Sequence, residues 1–206
     1  GVTGDDGPSH HGIWDLALTG IVPTLKVAAP RDGARLRELL DEASLVSDAP
    51  TLLRFPKGAI NSDLPAFERR DGVDVLYRGE SPDILMIAVG AMAQLAVDAA
   101  AQAYREGVRM SDRYSRIVVI EDGIKNGGIS SALSDAFREL GIAIPIHSIG
   151  IPVDFFEHAK RNQILEDLGI TVQSVARQLV SWFSSGAKQE GTQLHVDESA
   201  SRKPTH

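Results

Sequence analysis

An α/β fold with helices on both faces of a mostly parallel sheet is predicted by three observations. Apolar runs of strand length alternate with segments of helical period. The strand runs carry few polar residues, as strands covered on both faces do. Glycine or proline closes nearly every run.

LKVAA, Leu25–Ala29, reads as a short buried strand stopped by Pro30. Asp32 then caps a helix whose Leu36, Leu39, Leu40 and Ala43 fall on one face. TLLRF, Thr51–Phe55, is the next strand and stops at Pro56. From Lys57 to Pro82 glycines, prolines and charges mix, so this stretch reads as a linker with one short exposed strand at Val73–Tyr77. DILMIAVG, Asp83–Gly90, restarts the pattern. The helix after it places Met92, Leu95, Ala96, Ala99 and Ala103 on one face and ends at Gly107.

RIVVIEDG, Arg116–Gly123, is a further strand leading into a polar turn. Ile129, Leu133, Ala136, Phe137 and Leu140 form a helical stripe closed by Gly141, and IPIHSIG, Ile144–Gly150, is again a strand. A short helix at Gln163–Leu168 and a longer one at Thr171–Phe183 follow, the latter with Val172, Val175, Ala176, Leu179 and Phe183 inward. From Gly186 the chain is polar and aperiodic and reads as disordered. The chain thus divides into a block at 1–57, a linker at 58–82, a block at 83–184 able to make its own core, and a tail at 185–206. Two strands and one helix are too few for the first block to cover a sheet on both sides, so it reads as the rear half of a domain.

A formal net charge of −7 with scattered Lys and Arg argues against a broad nucleic-acid face. The lack of cysteine excludes disulfides, thiolate metal sites and cysteine nucleophiles, and fits a reducing cytoplasm. The longest apolar run, DILMIAVGAMAQLAV, is interrupted by Asp, Gly and Gln, so no membrane span is expected. The polar, glycine-rich start has no signal-peptide pattern, and the chain, beginning without Met, is expected to be a piece of something longer.

Three stretches could carry chemistry. The opening GVTGDDGPSHHGIWD supplies Asp5, Asp6, His10 and His11 among glycines that allow sharp turns. It is either a solvated loop or an active-site loop, in which an Asp binds a substrate hydroxyl and a His moves a proton. A metal site is disfavoured, since adjacent histidines chelate one ion poorly. LRFPKG, Leu53–Gly58, delivers Arg54 and Lys57 to the carboxyl end of a strand, where ligands of open α/β sheets collect. Lys57 suits a phosphate, and Arg54 suits either a phosphate or a structural acid. EDGIKNGGISSAL, Glu121–Leu133, lacks the lysine of a phosphate loop and the spacing of a dinucleotide site, so it reads as a structural turn, with Glu121 and Asp122 at an interface. His147 is expected in or near the core, and His158 follows two phenylalanines expected to pack. No G-x-S-x-G elbow is present.

Taken in order, GDDGPSHHG, LKVAAPRDGARLRELL, TLLRFPKG, RIVVIEDG, NGG and IGIPVDFFEHA closely resemble the 1-deoxy-D-xylulose-5-phosphate synthase family of transketolase-like thiamine-diphosphate enzymes, in its actinobacterial form. The resemblance runs from Gly1 to about Phe183 and covers only the last third of such an enzyme. It implies a partial pyrimidine-binding domain followed by a transketolase C-terminal-like, three-layer α/β/α domain. It also implies decarboxylation of pyruvate and two-carbon transfer to glyceraldehyde 3-phosphate, feeding isoprenoid, thiamine and pyridoxal synthesis.

By that resemblance Asp6 binds an acceptor hydroxyl, and His10 sits beside the reacting carbon as catalytic and substrate-binding residue. Lys57 binds the acceptor phosphate where many relatives carry arginine, and Arg54 is a further substrate-binding candidate. Thiamine diphosphate and Mg²⁺ are implied as cofactors held mainly by segments outside this chain; no cofactor-binding residue and no metal ligand is assigned within it. The implied partners are those remaining segments and a second copy in a homodimer, in the cytoplasm, and the chain alone is expected to be inactive. Around Arg109–Asp112, near Met110–Ser111, such relatives carry a strand, a proline-containing turn and a helix not found here, so a stretch of about twenty residues is expected to be missing. A β subunit of a 2-oxo acid dehydrogenase and a non-catalytic α/β dimerisation module are the alternatives.

Overall fold

The computed structural model describes residues 1–77, 84–106 and 114–190, the last six as backbone. In chain order the elements are α1 (Asp15–Thr19), β1 (Lys26–Ala28), α2 (Gly33–Leu45), β2 (Thr51–Leu53), β3 (Glu68–Arg70), β4 (Val73–Val75) and β5 (Ile84–Ala88). A 3₁₀ turn at Gly90–Met92 leads into α3 (Ala93–Arg105), and β6 (Arg116–Ile124), α4 (Ile129–Glu139), β7 (Ile146–Ile151), α5 (Arg161–Asp167) and α6 (Val172–Glu190) follow.

β5, β6 and β7 form a parallel sheet with β6 in the middle. Its core joins Val118, Ile120 and Ile149 to Ala96, Ala99 and Ala103 of α3 and to Val175, Ala176 and Leu179 of α6. The alanines let α6 lie close on α3, and each aliphatic side chain buried here contributes about 1.5–3 kcal/mol. Alternation along β7 sets the layers. His147 faces α6, its Nε2 within 3.2 Å of Gln178 Oε1 and its ring 5.3 Å from that of Trp182. Ser148, the next residue, points to the opposite face, where its hydroxyl donates to Ser130 Oγ of α4 at 2.9 Å. Helices therefore cover both faces, as the sequence predicts, and His147 is the half-buried histidine expected.

The first block is organised as expected but covered less. β1 and β2 pair in parallel and Asp32 caps α2, accepting from Arg35 N at 2.9 Å. Leu25–Ala29 was expected as a buried strand, yet Val27 is exposed. On α2, Leu40 of the anticipated apolar stripe is 58% exposed. Two strands with one helix present too little surface to bury either face. The linker contains more order than expected: β3 and β4 form an antiparallel hairpin around Asp71 and Gly72, both at positive φ. Its Asp74 is bound by Arg31, by Arg35 Nε at 3.0 Å and by Arg69 Nε at 2.7 Å, which pins the hairpin to α2. A linker read from apolar periodicity misses such a hairpin, because ion pairs hold it.

Two further differences concern ends. The last helix continues to Glu190 rather than stopping at Phe183, so 186–190 are helical where a disordered tail was expected; 191–206 lie outside the described residues, as does the anticipated gap at Met110–Ser111. α1, a single turn, has too few residues to show a period. The two phenylalanines before His158 differ: Phe156 packs on the core, whereas Phe155 is exposed and meets Trp14 edge-on at 5.5 Å. Among the described residues no helix is long and apolar enough to cross a membrane.

Candidate active site

The opening stretch is a loop with both feet in the core. Val2 and Ile13 are fully buried among the aliphatics of the three-stranded sheet, and Ile124 N donates to Ile13 O at 2.9 Å, joining the loop to the end of β6. Between the feet, Gly4 and Gly7 adopt φ of 93° and 74°, and Gly7 N donates to Gly4 O, making a turn that L side chains rarely allow. A Cβ at Gly7 would collide with the His158 imidazole, and one at Gly4 would press on the backbone of Arg161. The loop is thereby seated against 158–161, and its polar side chains are presented from a fixed frame.

The frame separates the two histidines. His11 turns inward. Its Nδ1 accepts from Thr3 N at 3.1 Å, which leaves the proton of the neutral ring on Nε2. Burial, reinforced by the positive charge of the amino terminus and of His158, lowers its pKa. His10 is exposed and its Nδ1 lies 3.0 Å from Ser9 Oγ. His10 and Lys57 line one cavity of about 220 Å³ together with Thr3, Gly12, Asp15 and Arg54. Lys57 Nζ donates to Asp6 Oδ2. His10 and Lys57, distant in sequence, therefore share one cavity, and Asp6 is joined to it through Lys57. A larger groove of about 470 Å³ between α4 and β7 is lined mostly by apolar side chains, Phe137, Ile142 and Ile144 among them, and its one charged lining residue is Arg138.

Arg54 is placed differently from its companions. β2 ends by handing Arg54 N to Ala28 O at 2.8 Å, and the side chain runs into the interior. Its Nε donates to Asp15 Oδ2 at 2.5 Å, its Nη1 to Asp122 Oδ1 at 2.5 Å and its Nη2 to Asp122 O at 3.2 Å. Asp122 also accepts from Arg161 Nη2 at 2.8 Å. Of the two uses the sequence left open for Arg54, pairing with a structural acid is the geometry observed. Asp15 and Arg161 belong to this network and were not singled out by the sequence, where each is an ordinary charged residue. Burial would push the Asp122 carboxyl up, but Arg54 and Arg161 outweigh it and hold it below the usual carboxylate range. A depressed carboxyl stabilises the fold above its unfolded pKa, about 3.9, and that stability is lost as pH falls through the lower folded value. Acid dependence of urea unfolding followed by circular dichroism is expected to show this loss below about pH 4, and to show less of it in Arg54→Met, where Asp122 is less depressed.

Glu121, fully buried beside this network, accepts from Ile129 N at 2.9 Å, Ser130 N at 3.2 Å and Ser130 Oγ at 2.9 Å. It satisfies the open amino end of α4 from a neighbouring strand. Gly128 permits the approach, since a Cβ there would collide with Glu121 Oε2 and Ile124 O. This turn is structural, as its sequence predicts. Among the described residues no group of three or more His, Asp or Glu side chains is placed to hold a metal ion.

The fold and the loop define the class. Residues 1–62 match the transketolase pyrimidine-binding domain and 108–175 the transketolase C-terminal domain. The chain belongs to the transketolase-like family of thiamine-diphosphate-dependent enzymes. Within that family it is similar to 1-deoxy-D-xylulose-5-phosphate synthase. The Rhodococcus jostii synthase is 45% identical over 204 residues, taking in 89% of this chain and 31% of that protein. The Mycobacterium ulcerans synthase is 44% identical over 206 residues, 90% of this chain and 32% of that protein. This chain thus spans about a third of the length of these curated relatives. The 204 matched positions exceed 89% of a 206-residue chain, so the Rhodococcus protein carries extra residues inside the matched span, in keeping with the anticipated internal gap. Among solved structures, a split-gene transketolase described as an inactive β4 tetramer superimposes with a TM-score of 0.68 at 24% identity. The match covers 88% of this chain and 66% of that one, and confirms the fold.

Proposed function

We propose that this chain supplies the acceptor-binding side of a 1-deoxy-D-xylulose-5-phosphate synthase, which joins a two-carbon unit from pyruvate to glyceraldehyde 3-phosphate. The observation that carries the proposal is that His10 and Lys57 line one cavity while Lys57 also binds Asp6. Thiamine diphosphate would supply the carbanion chemistry, and with Mg²⁺ it would be held mainly by segments outside this chain. Asp6 accepts a hydrogen bond from an acceptor hydroxyl, and Lys57 binds the phosphate as a point charge. His10, exposed in the same cavity lining, relays a proton at the acceptor oxygen. Arg54, buried in the carboxylate network, sets the position of the Phe55–Lys57 turn, so a direct contact with substrate is the weaker part of its assignment. The working unit is a homodimer in the cytoplasm, completed by the rest of the enzyme.

The test is turnover of pyruvate plus glyceraldehyde 3-phosphate by the complete enzyme with its cofactors. The 206 residues assayed alone are expected to be silent, and turnover by them would overturn the division of labour. In the complete enzyme, Lys57→Ala is expected to raise KM for glyceraldehyde 3-phosphate about 10- to 100-fold, the usual worth of a hydrogen bond to a charged group, with little change for pyruvate. Equal effects on both substrates would remove Lys57 from the phosphate site.

A further inference from the structure

Lys57 and Asp6, assigned to opposite ends of the acceptor, are bound to each other in the ligand-free chain. Both remain reachable, with Lys57 61% and Asp6 32% exposed, so the pair is not sealed in. The arginine of the lining is already committed, because the Arg54 guanidinium is shared between Asp15 and Asp122. Among the lysine and arginine side chains lining the cavity, Lys57 is therefore the one that an incoming anion can recruit, and recruiting it means separating it from Asp6. The long, flexible lysine stem makes that exchange a rotamer change rather than a backbone movement.

We infer that the Lys57–Asp6 pair is an exchange latch that makes recognition of the two ends of one acceptor interdependent. An anionic group takes Lys57 only by releasing Asp6, and a hydroxyl takes Asp6 only by releasing Lys57. This inference rests on the acceptor-site reading above and adds the origin of its selectivity. A phosphorylated hydroxy-aldehyde re-pairs both partners at once. A neutral hydroxy-aldehyde strands the ammonium, and a bare phosphate strands the carboxylate, so each half-ligand bears the whole cost of opening. The Lys57 hydrogen bond holds the Asp6 carboxyl below its usual range, which favours the carboxylate that closes the pair. An exposed ion pair favours its closed form by about two- to fivefold, small enough to yield to a ligand with both groups.

The latch makes a prediction opposite to simple loss of contacts. Steady-state kinetics of the complete enzyme are compared for glyceraldehyde 3-phosphate, for unphosphorylated glyceraldehyde as substrate or competitive inhibitor, and for inorganic phosphate as inhibitor. Lys57→Ala is expected to weaken glyceraldehyde 3-phosphate yet improve the apparent affinity for glyceraldehyde about two- to fivefold, because Asp6 is then always open. Asp6→Asn is expected to tighten inhibition by inorganic phosphate by a similar factor. Glyceraldehyde no better bound in Lys57→Ala, or phosphate no better bound in Asp6→Asn, overturns the latch while a weakened phosphorylated acceptor keeps the site. Unchanged KM for glyceraldehyde 3-phosphate in Lys57→Ala sinks the acceptor site itself and the latch with it.

Discussion

Replacing Arg54 with methionine is expected to destabilise the fold by about 3–5 kcal/mol, the usual cost of removing one partner from a buried ion pair. The side chains of Arg54 and Asp122 are 6% and 2% exposed, so neither charge can fall back on water. Methionine fills much of the volume but leaves Asp122 with Arg161 as its remaining side-chain donor, and frees Asp15. The network also ties three parts of the chain together: the end of β2, the helix α1 that begins at Asp15, and the end of β6. Equilibrium urea unfolding measures the effect; a lowered midpoint with unchanged slope reports lost stability without a change in the denatured state. Arg54→Lys keeps the charge and loses the fork, so its loss is expected to be smaller. A loss under about 1 kcal/mol in Arg54→Met would show that the pair is no better than its apolar replacement.

The second large effect is expected at Glu121. Glu121→Ala removes the acceptor of two amide groups at the start of α4 and of the Ser130 hydroxyl, and α4 has no side-chain cap of its own. Unsatisfied buried donors cost about 1–3 kcal/mol each, and partial relaxation leaves a net loss of about 3 kcal/mol. In a protein of this size that lowers Tm by about 6–12 °C. Glu121→Gln keeps one carbonyl oxygen but turns an amide N–H₂ toward donors and removes the charge that complements the helix dipole, so an intermediate loss is expected. A scanning-calorimetry result in which Gln and Ala variants melt together with the wild type would show that solvent or a shifted helix end satisfies those amides.

Periodicity carried α3 and α6 of the larger block but not α4, whose expected stripe leaves Leu140 72% exposed. The stripe Met92, Ala96, Ala99 and Ala103 is buried as its spacing predicts, and so are Val175, Ala176 and Leu179. A face that packs against a sheet must be apolar at its own structural period, which is a local property of the chain. The same reasoning overestimated burial on α2, since Leu40 has the right spacing but too little sheet beneath it. The β3–β4 hairpin was missed for the opposite reason, because it is held by Arg31, Arg35 and Arg69 around Asp74, and ion-pair partners so far apart have no sequence signal.

At the proposed site, residue types and turn glycines by themselves determined only that the opening loop and the RFPKG turn were candidates, each with a plain structural reading beside it. Only tertiary structure decided which of two adjacent histidines faces the cavity and which of two basic residues stays reachable. His10 and His11 are chemically identical, and Arg54 and Lys57 end the same strand. Their difference comes from direction alone, set by Val2 and Ile13 anchoring the loop and by Asp122 drawing Arg54 inward. Burial and pairing across long sequence separation are properties of the packed chain, and no local pattern encodes which of two neighbours will receive them.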